Sequence, residues 1–222
     1  MACMKASKKS FGEIPSAPLR INSARRLKRF QAVAASRQAG LALVLEDIHD
    51  PHNAAAILRT CDGLGIQDVY FIFSAGGGSA SGREKEKPYN PKKVGKVSSS
   101  SANKWLTYHI YRSTKECFRD LKKKKYKIYA TVLDPKAKNL LTTGLHMKNL
   151  ALVVGNEHRG ISETAKELAD QLLYFPMQGF VESFNVSISA ALFLYEIIRQ
   201  RNSTNRLSKK ETLKLLVDFK KR

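Results

Sequence analysis

The chain has 222 residues, 43% of them hydrophobic, which suits one domain with a real core plus extensions; no apolar run is long enough to span a membrane. Three cysteines, Cys3, Cys61 and Cys117, stand far apart with no CxxC pair, which argues against a zinc cluster or a disulfide framework and fits a reducing, cytoplasmic setting. A net charge of +20 marks a polyanion as the natural partner, and nucleic acid is the commonest one.

The N-terminal stretch is polar and basic and has no apolar segment to serve as a signal peptide. Residues 20–38 read as a basic amphipathic helix that Gly40 would end. Leu41-Ala-Leu-Val-Leu45 is a continuous apolar run, the mark of a strand buried on both faces. A turn at Asp50-Pro51 leads into a helix over about 53–64, and Val69–Phe73 is a second buried strand. Residues 74–104, rich in Gly, Ser and Lys, read as a long flexible loop. A helix over 114–124 and a strand over 127–133 follow. A strand over 149–154, a helix over 163–169, a strand over 172–175 and a helix over 186–200 complete the alternation. The last basic amphipathic helix covers 208–221. Strands alternating with helices mean an α/β fold with a mostly parallel sheet.

The positive charge is unevenly spread. Residues 1–40 carry nine Lys/Arg against one acid, 83–127 fifteen against four, and 199–222 nine against two. The apolar-rich stretches 41–82 and 128–198 are slightly acidic. The expected organisation is therefore a basic N-terminal helical extension over 1–40, an α/β domain over 41–201 with a basic loop at 74–104, and a basic C-terminal helix over 202–222.

Three segments carry chemistry. Glu46–Cys61 leaves the end of a buried strand, where open α/β sheets place their sites. In it Asn53 can cap the helix start, and Arg59 offers an anion-binding fork that is expected to face the same cleft as Asn53. A structural ion pair of Arg59 with Asp47 or Asp62 is the competing reading. In Val154-Gly-Asn-Glu157-His-Arg-Gly160, glycines after a strand permit a tight turn or close approach to a ligand. It lacks the Gly-Lys-Ser/Thr ending of a phosphate loop. In Gly179–Arg199 a polar turn, Glu182-Ser183-Phe184-Asn185, opens a helix crowded with small residues. His49 and His52 lack companions for a metal site, so no metal is expected.

In this order, the three segments resemble the motifs of the SpoU branch of the SPOUT methyltransferases, over about residues 24–201. Asp47–Arg59 resembles its first motif and Val154–Gly160 its second. Phe175-Pro-Met-Gln-Gly179 with Ser183-Phe-Asn-Val-Ser187 resembles its third. Asp47–Arg59, Ala130-Thr131 and Leu194–Arg201 look in particular like the TrmH group, which methylates the 2′-oxygen of a D-loop guanosine (position 18) in tRNA. The stretch before Leu41 leaves no room for the extra RNA-binding domain of many ribosomal-RNA relatives.

The resemblance implies a C-terminal trefoil knot, a homodimer with the active site near its interface, RNA as partner and S-adenosylmethionine as cofactor. Carried over by position, Thr131, Gly155, Phe175, Phe184 and Asn185 would line the cofactor pocket. Asn53, Arg59, Glu157, Ser183 and Asn185 would form the catalytic set. The family offers the matching arginine as a base. A guanidinium with a pKa above about 12 beside a phosphate stays protonated, so the role read for Arg59 is to clamp the phosphate and orient the ribose. Phe184 stands where the family usually has Leu, and the 74–104 loop is longer and more basic than usual. The same chemistry on ribosomal RNA is the alternative. A catalytically silent RNA-binding protein is disfavoured because Arg59, Glu157 and Asn185 are all present. A nicotinamide fold lacks its G-x-G-x-x-G.

Overall fold

A computed structural model describes residues 23–74, 90–91, 102–201 and 205–222. Elements follow in chain order: α1 (Ser23–Ser36), β1 (Leu41–Glu46), α2 (Pro51–Gly63), β2 (Asp68–Ile72), a 3₁₀ turn (Ala102–Lys104), β3 (Thr107–Tyr111) and α3 (Thr114–Lys123). Then come β4 (Lys127–Thr131), β5 (Lys138–Asn139), β6 (Leu150–Val154), α4 (Glu163–Leu168), β7 (Gln171–Tyr174), α5 (Val186–Gln200) and α6 (Lys209–Lys221).

The seven strands form one sheet in the order β3-β2-β1-β6-β4-β7-β5, and every pairing is parallel. The α/β class expected from the alternation is therefore observed. β1 and β6 lie side by side at its centre with every residue buried, which is why both read as unbroken apolar runs. Successive side chains point to opposite faces, so the two strands feed two cores. Leu41, Leu43, Leu45, Leu152 and Val154 pack with α2 and α5 on one face. Ala42, Val44, Ala151 and Val153 pack with α3 and α4 on the other.

Two strands lie outside the sequence expectation. β3, in a stretch assigned no element, pairs with β2 at one edge; β5, two residues long, pairs with β7 at the other. A half-buried edge strand lacks the continuous apolar signal of β1. The flexible loop expected over 74–104 lies outside the described residues except for 74, 90–91 and the 3₁₀ turn at its end.

The terminal helices pack on each other through a third small core. Phe30 of α1, Phe219 of α6 and Trp105 form a triangle with ring centroids 5.5, 5.9 and 5.7 Å apart. Arg37, buried just beyond α1, donates to Asp62 at 2.6 Å and ties α1 to the end of α2. Arg222 closes the other side by donating to the carbonyls of Lys104 and Leu106 at 2.6 and 2.8 Å. Ser208 and Glu211 form a reciprocal cap that starts α6 where the sequence suggested. Residues 20–22 of the expected first helix lie outside the described residues, and the helix ends at Ser36, short of Gly40.

Candidate active site

The C-terminal ends of β4, β6 and β7 open onto a cavity of about 600 Å³, within the range of small-molecule sites. Its floor and walls come from Thr131, Gly155, Leu173, Phe175, Phe184 and Phe193. Glu157, Ser183 and Asn185 also line it. Thus all five residues expected around a cofactor, and three of the five expected in the catalytic set, gather at one place.

The loop after β6 is shaped by its glycines. A side chain on Gly155 would lie 2.2–2.3 Å from the backbone of Gly160 and Ile161, so the tight turn itself requires a glycine here, at a position that also lines the cavity. Gly160 takes φ +68°, and the two N–H···O bonds between Asn156 and Gly160, both 2.9 Å, close the loop. Asn156, which sequence reasoning did not single out, braces it from within. Its oxygen accepts from the N–H groups of His158 and Arg159, and its amide donates to the Asp47 carbonyl at 2.8 Å.

Glu157 is thereby aimed at the start of α2. Its carboxylate accepts from the N–H of His49 at 3.0 Å, the N–H of Asp50 at 3.2 Å and the amide of Asn53 at 3.0 Å. Burial alone would favour the protonated acid, but these donors outweigh it and hold the Glu157 carboxyl below its ordinary range. Asn53 in turn accepts from the amide of Asn185 at 3.1 Å. Both ends of the Asn53 carboxamide are therefore used, and its orientation follows from the chain Asn185–Asn53–Glu157.

Asn53 does not cap α2 as its position suggested. Helix α2 begins earlier: Asp50 is the cap, accepting from His52 N–H at 2.7 Å, and Pro51 occupies the first turn. That shift frees Asn53 for the network. Asn185 is a cap, for α5, accepting from the N–H and hydroxyl of Ser187 at 2.8 and 2.6 Å.

Arg59 departs from the expectation that it shares a cleft with Asn53. Six residues advance a helix by about 600°, which leaves the two side chains roughly 120° apart around α2. Arg59 is exposed and does not line the cavity. Neither suggested carboxylate holds it: Asp62 pairs with Arg37, and Asp47 accepts from Ser74 and lies 3.8 Å from Arg159.

A second carboxylate supports the site from below. Glu46, buried at the end of β1, accepts from the hydroxyl of Thr114 and from the N–H and hydroxyl of Ser162, the latter two at 2.8 Å. It locks β1 to the starts of α3 and α4. An acid ending an apolar strand was the only signal for it. Among the described residues no three His, Cys, Asp or Glu side chains gather as a metal ion would require, and no helix is long and apolar enough to cross a membrane.

Comparison with known proteins identifies the family. Residues 40–195 match the model of the SpoU rRNA Methylase family. The chain is 35% identical over 176 residues to a tRNA (guanosine(18)-2′-O)-methyltransferase of Thermus thermophilus, covering 79% of this chain and 83% of that protein. It is 29% identical over 197 residues to a 23S rRNA (guanosine-2′-O-)-methyltransferase of Haemophilus influenzae, covering 87% of this chain and 75% of that one. The crystal structure of the TrmH/SpoU tRNA modifying enzyme of A. aeolicus superposes with a TM-score of 0.74 at 28% identity, over 89% of this chain and 97% of that chain. With the match running from the turn before β1 into α5, across the two segments that line the cavity and the one whose Asn53 is hydrogen-bonded to them, the chain belongs to the SpoU methylase family.

Proposed function

We propose that the protein transfers a methyl group from S-adenosylmethionine to the 2′-oxygen of the D-loop guanosine at position 18 of tRNA. The observation that carries this reading is the Asn185–Asn53–Glu157 network at the rim of a cavity walled by Thr131, Gly155, Phe175 and Phe184. The identity to a tRNA (guanosine(18)-2′-O)-methyltransferase supports the substrate.

The cavity suits the cofactor in size and in its mix of aromatic wall and polar rim. Bound there, S-adenosylmethionine supplies a methyl already activated on a sulfonium, which asks no metal of the protein. As the O–CH₃ bond forms and the S–CH₃ bond breaks, the sulfur would leave as a neutral thioether and the hydroxyl proton would pass to solvent at the open rim. The residues therefore have to align the ribose hydroxyl with the S–CH₃ bond, and positioning of this kind can supply much of the rate. Thr131, Gly155, Phe175 and Phe184 would hold the cofactor. Ser183, exposed at the rim, would hold the ribose hydroxyl together with the second amide hydrogen of Asn185. Glu157, its oxygens occupied by three donors, would position Asn53 and the loop after β1.

Arg59 would clamp an RNA phosphate. Because it lies off its own cavity, a homodimer that lends Arg59 to the partner's site fits best. α5 supports such a pairing: Ile188 and Tyr195, seven residues apart on one face, are 50% and 60% exposed, and Phe180 before it is fully exposed. The segment from β4 to α5 would form the trefoil knot, since β6 enters on one side of β4 and β7 returns on the other. The basic extensions, 1–40 and 202–222, would flank the domain over 41–201 and face RNA. In the described part, Arg25, Arg26 and Lys28 of α1 and Lys209, Lys210 and Lys214 of α6 are exposed.

Incubation with labelled S-adenosylmethionine and, separately, unmodified tRNA and ribosomal RNA tests the reading. Label in tRNA is expected; label in ribosomal RNA alone would keep the chemistry and overturn the substrate.

A further inference from the structure

Within the cavity wall, Phe184 is held from both sides. Its carbonyl accepts from the Ser189 hydroxyl at 3.4 Å, in the first turn of α5. Its neighbour Asn185 caps that helix and hooks to Asn53 at 3.1 Å. Its ring meets that of Phe175 with centroids 5.7 Å apart and planes at 71°, an edge-to-face arrangement. Phe175 packs against the main core, so the pair is anchored to the domain. In such a pair the ring giving its edge keeps both faces clear of its partner, and the ring giving a face keeps the other. Phe184 is 37% exposed, and it lines the cavity.

Aromatic faces carry negative potential and attract cations that are only weakly hydrated. A trialkyl sulfonium is such a cation: its charge is spread over carbon substituents and has no N–H to satisfy. The two carboxylates of the cavity lining compete poorly for it. Both oxygens of Glu157 are already engaged by donors, and Glu182 is exposed to solvent. We propose that Phe184 is a specificity-determining residue whose ring receives the sulfonium of S-adenosylmethionine, so that the site prefers the charged methyl donor to its neutral demethylated product. This rests on the cofactor reading above. After transfer the sulfur loses both its methyl and its positive charge, so the attraction weakens as the product forms. A leucine at this position would fill similar space without an aromatic face, and would leave donor and product more evenly matched.

Calorimetric titration of the full-length protein with S-adenosylmethionine and with S-adenosylhomocysteine, in the absence of RNA, reads the preference directly as a ratio of two Kd values. Phe184→Leu is expected to lower that ratio by about three- to tenfold, chiefly by weakening the sulfonium compound, while Phe184→Tyr, which keeps the ring, retains it. Phe184→Met repeats the test with a second non-aromatic side chain should the leucine variant fail to fold. A ratio unchanged within about twofold in a folded non-aromatic variant would overturn the inference while leaving the cofactor reading intact. Binding of neither compound to the wild-type protein would overturn the cofactor reading, and this inference with it.

Discussion

The Asn53 amide donates to the Glu157 carboxylate at 3.0 Å across 104 residues of sequence, joining the start of α2 to the loop after β6. Asn185 reaches the other end of the same carboxamide, at 3.1 Å, from the cap of α5. One side chain therefore sets the mutual position of all three segments that resemble family motifs.

Asn53→Asp replaces that donor with a carboxylate facing Glu157. Two like charges at this distance oppose each other, and a charge-assisted hydrogen bond worth about 1.5–3 kcal/mol disappears. Methyl-transfer rates should fall by about ten- to a hundredfold, with a lowered thermal midpoint. Initial rates together with circular-dichroism melting check this, and wild-type values for both would contradict the network's role.

Glu157 predicts a pH dependence. Its folded-state pKa lies below the ordinary value of 4.5, so the stability from its ionised form is complete above that value. That stability is lost as pH falls through the depressed folded value. Urea unfolding of wild type and Glu157→Gln from pH 7 downward should show a constant difference until about pH 4.5 and a narrowing one below it. A difference that widens on acidification would contradict the assignment.

Much of the fold was legible because burial leaves a mark on composition. β1 and β6 are covered on both faces and read as apolar runs. β3 and β5, at the edges, are short or half covered, and left no such mark. The residue types of the site were legible by resemblance, but their hydrogen-bond partners were not. Asn53 looked like a cap because its distance from Pro51 does not reveal that Asp50 takes that place. Its bonds to Glu157 and Asn185 span 104 and 132 residues, beyond any local pattern. Glu46 and Asn156, which brace the loops, were assigned no role from the sequence, and their roles appear only once β1 and β6 are side by side.

Arg59 should tolerate no lysine. It is exposed, so Arg59→Lys is expected to fold and to bind cofactor as wild type does, yet lose activity by about ten- to a hundredfold for want of the planar fork. Steady-state kinetics with tRNA checks this, and activity within about threefold of wild type would contradict a phosphate clamp.

The exposed face of α5 predicts oligomeric state. Ile188→Glu combined with Tyr195→Glu should give a folded monomer by sedimentation equilibrium, with methyl transfer lost because Arg59 no longer reaches a partner's cavity. A fully active monomeric variant would contradict the homodimer.

Basic side chains on α6 should act by neutralising RNA phosphates. Replacing Lys209, Lys210 and Lys214, all exposed, with Ala should reduce the slope of log K against log salt for tRNA binding by roughly 0.7–0.9 for each phosphate no longer neutralised. An unchanged slope would place the RNA elsewhere.

The central claim is ribose methylation of one tRNA guanosine, and nucleoside mapping of the product tests it most directly. Unmodified tRNA treated with the protein and S-adenosylmethionine should yield one alkali-resistant dinucleotide containing 2′-O-methylguanosine from position 18, and none when that guanosine is replaced by adenosine. A base-methylated nucleoside, or ribose methylation found only in ribosomal RNA, would contradict the account.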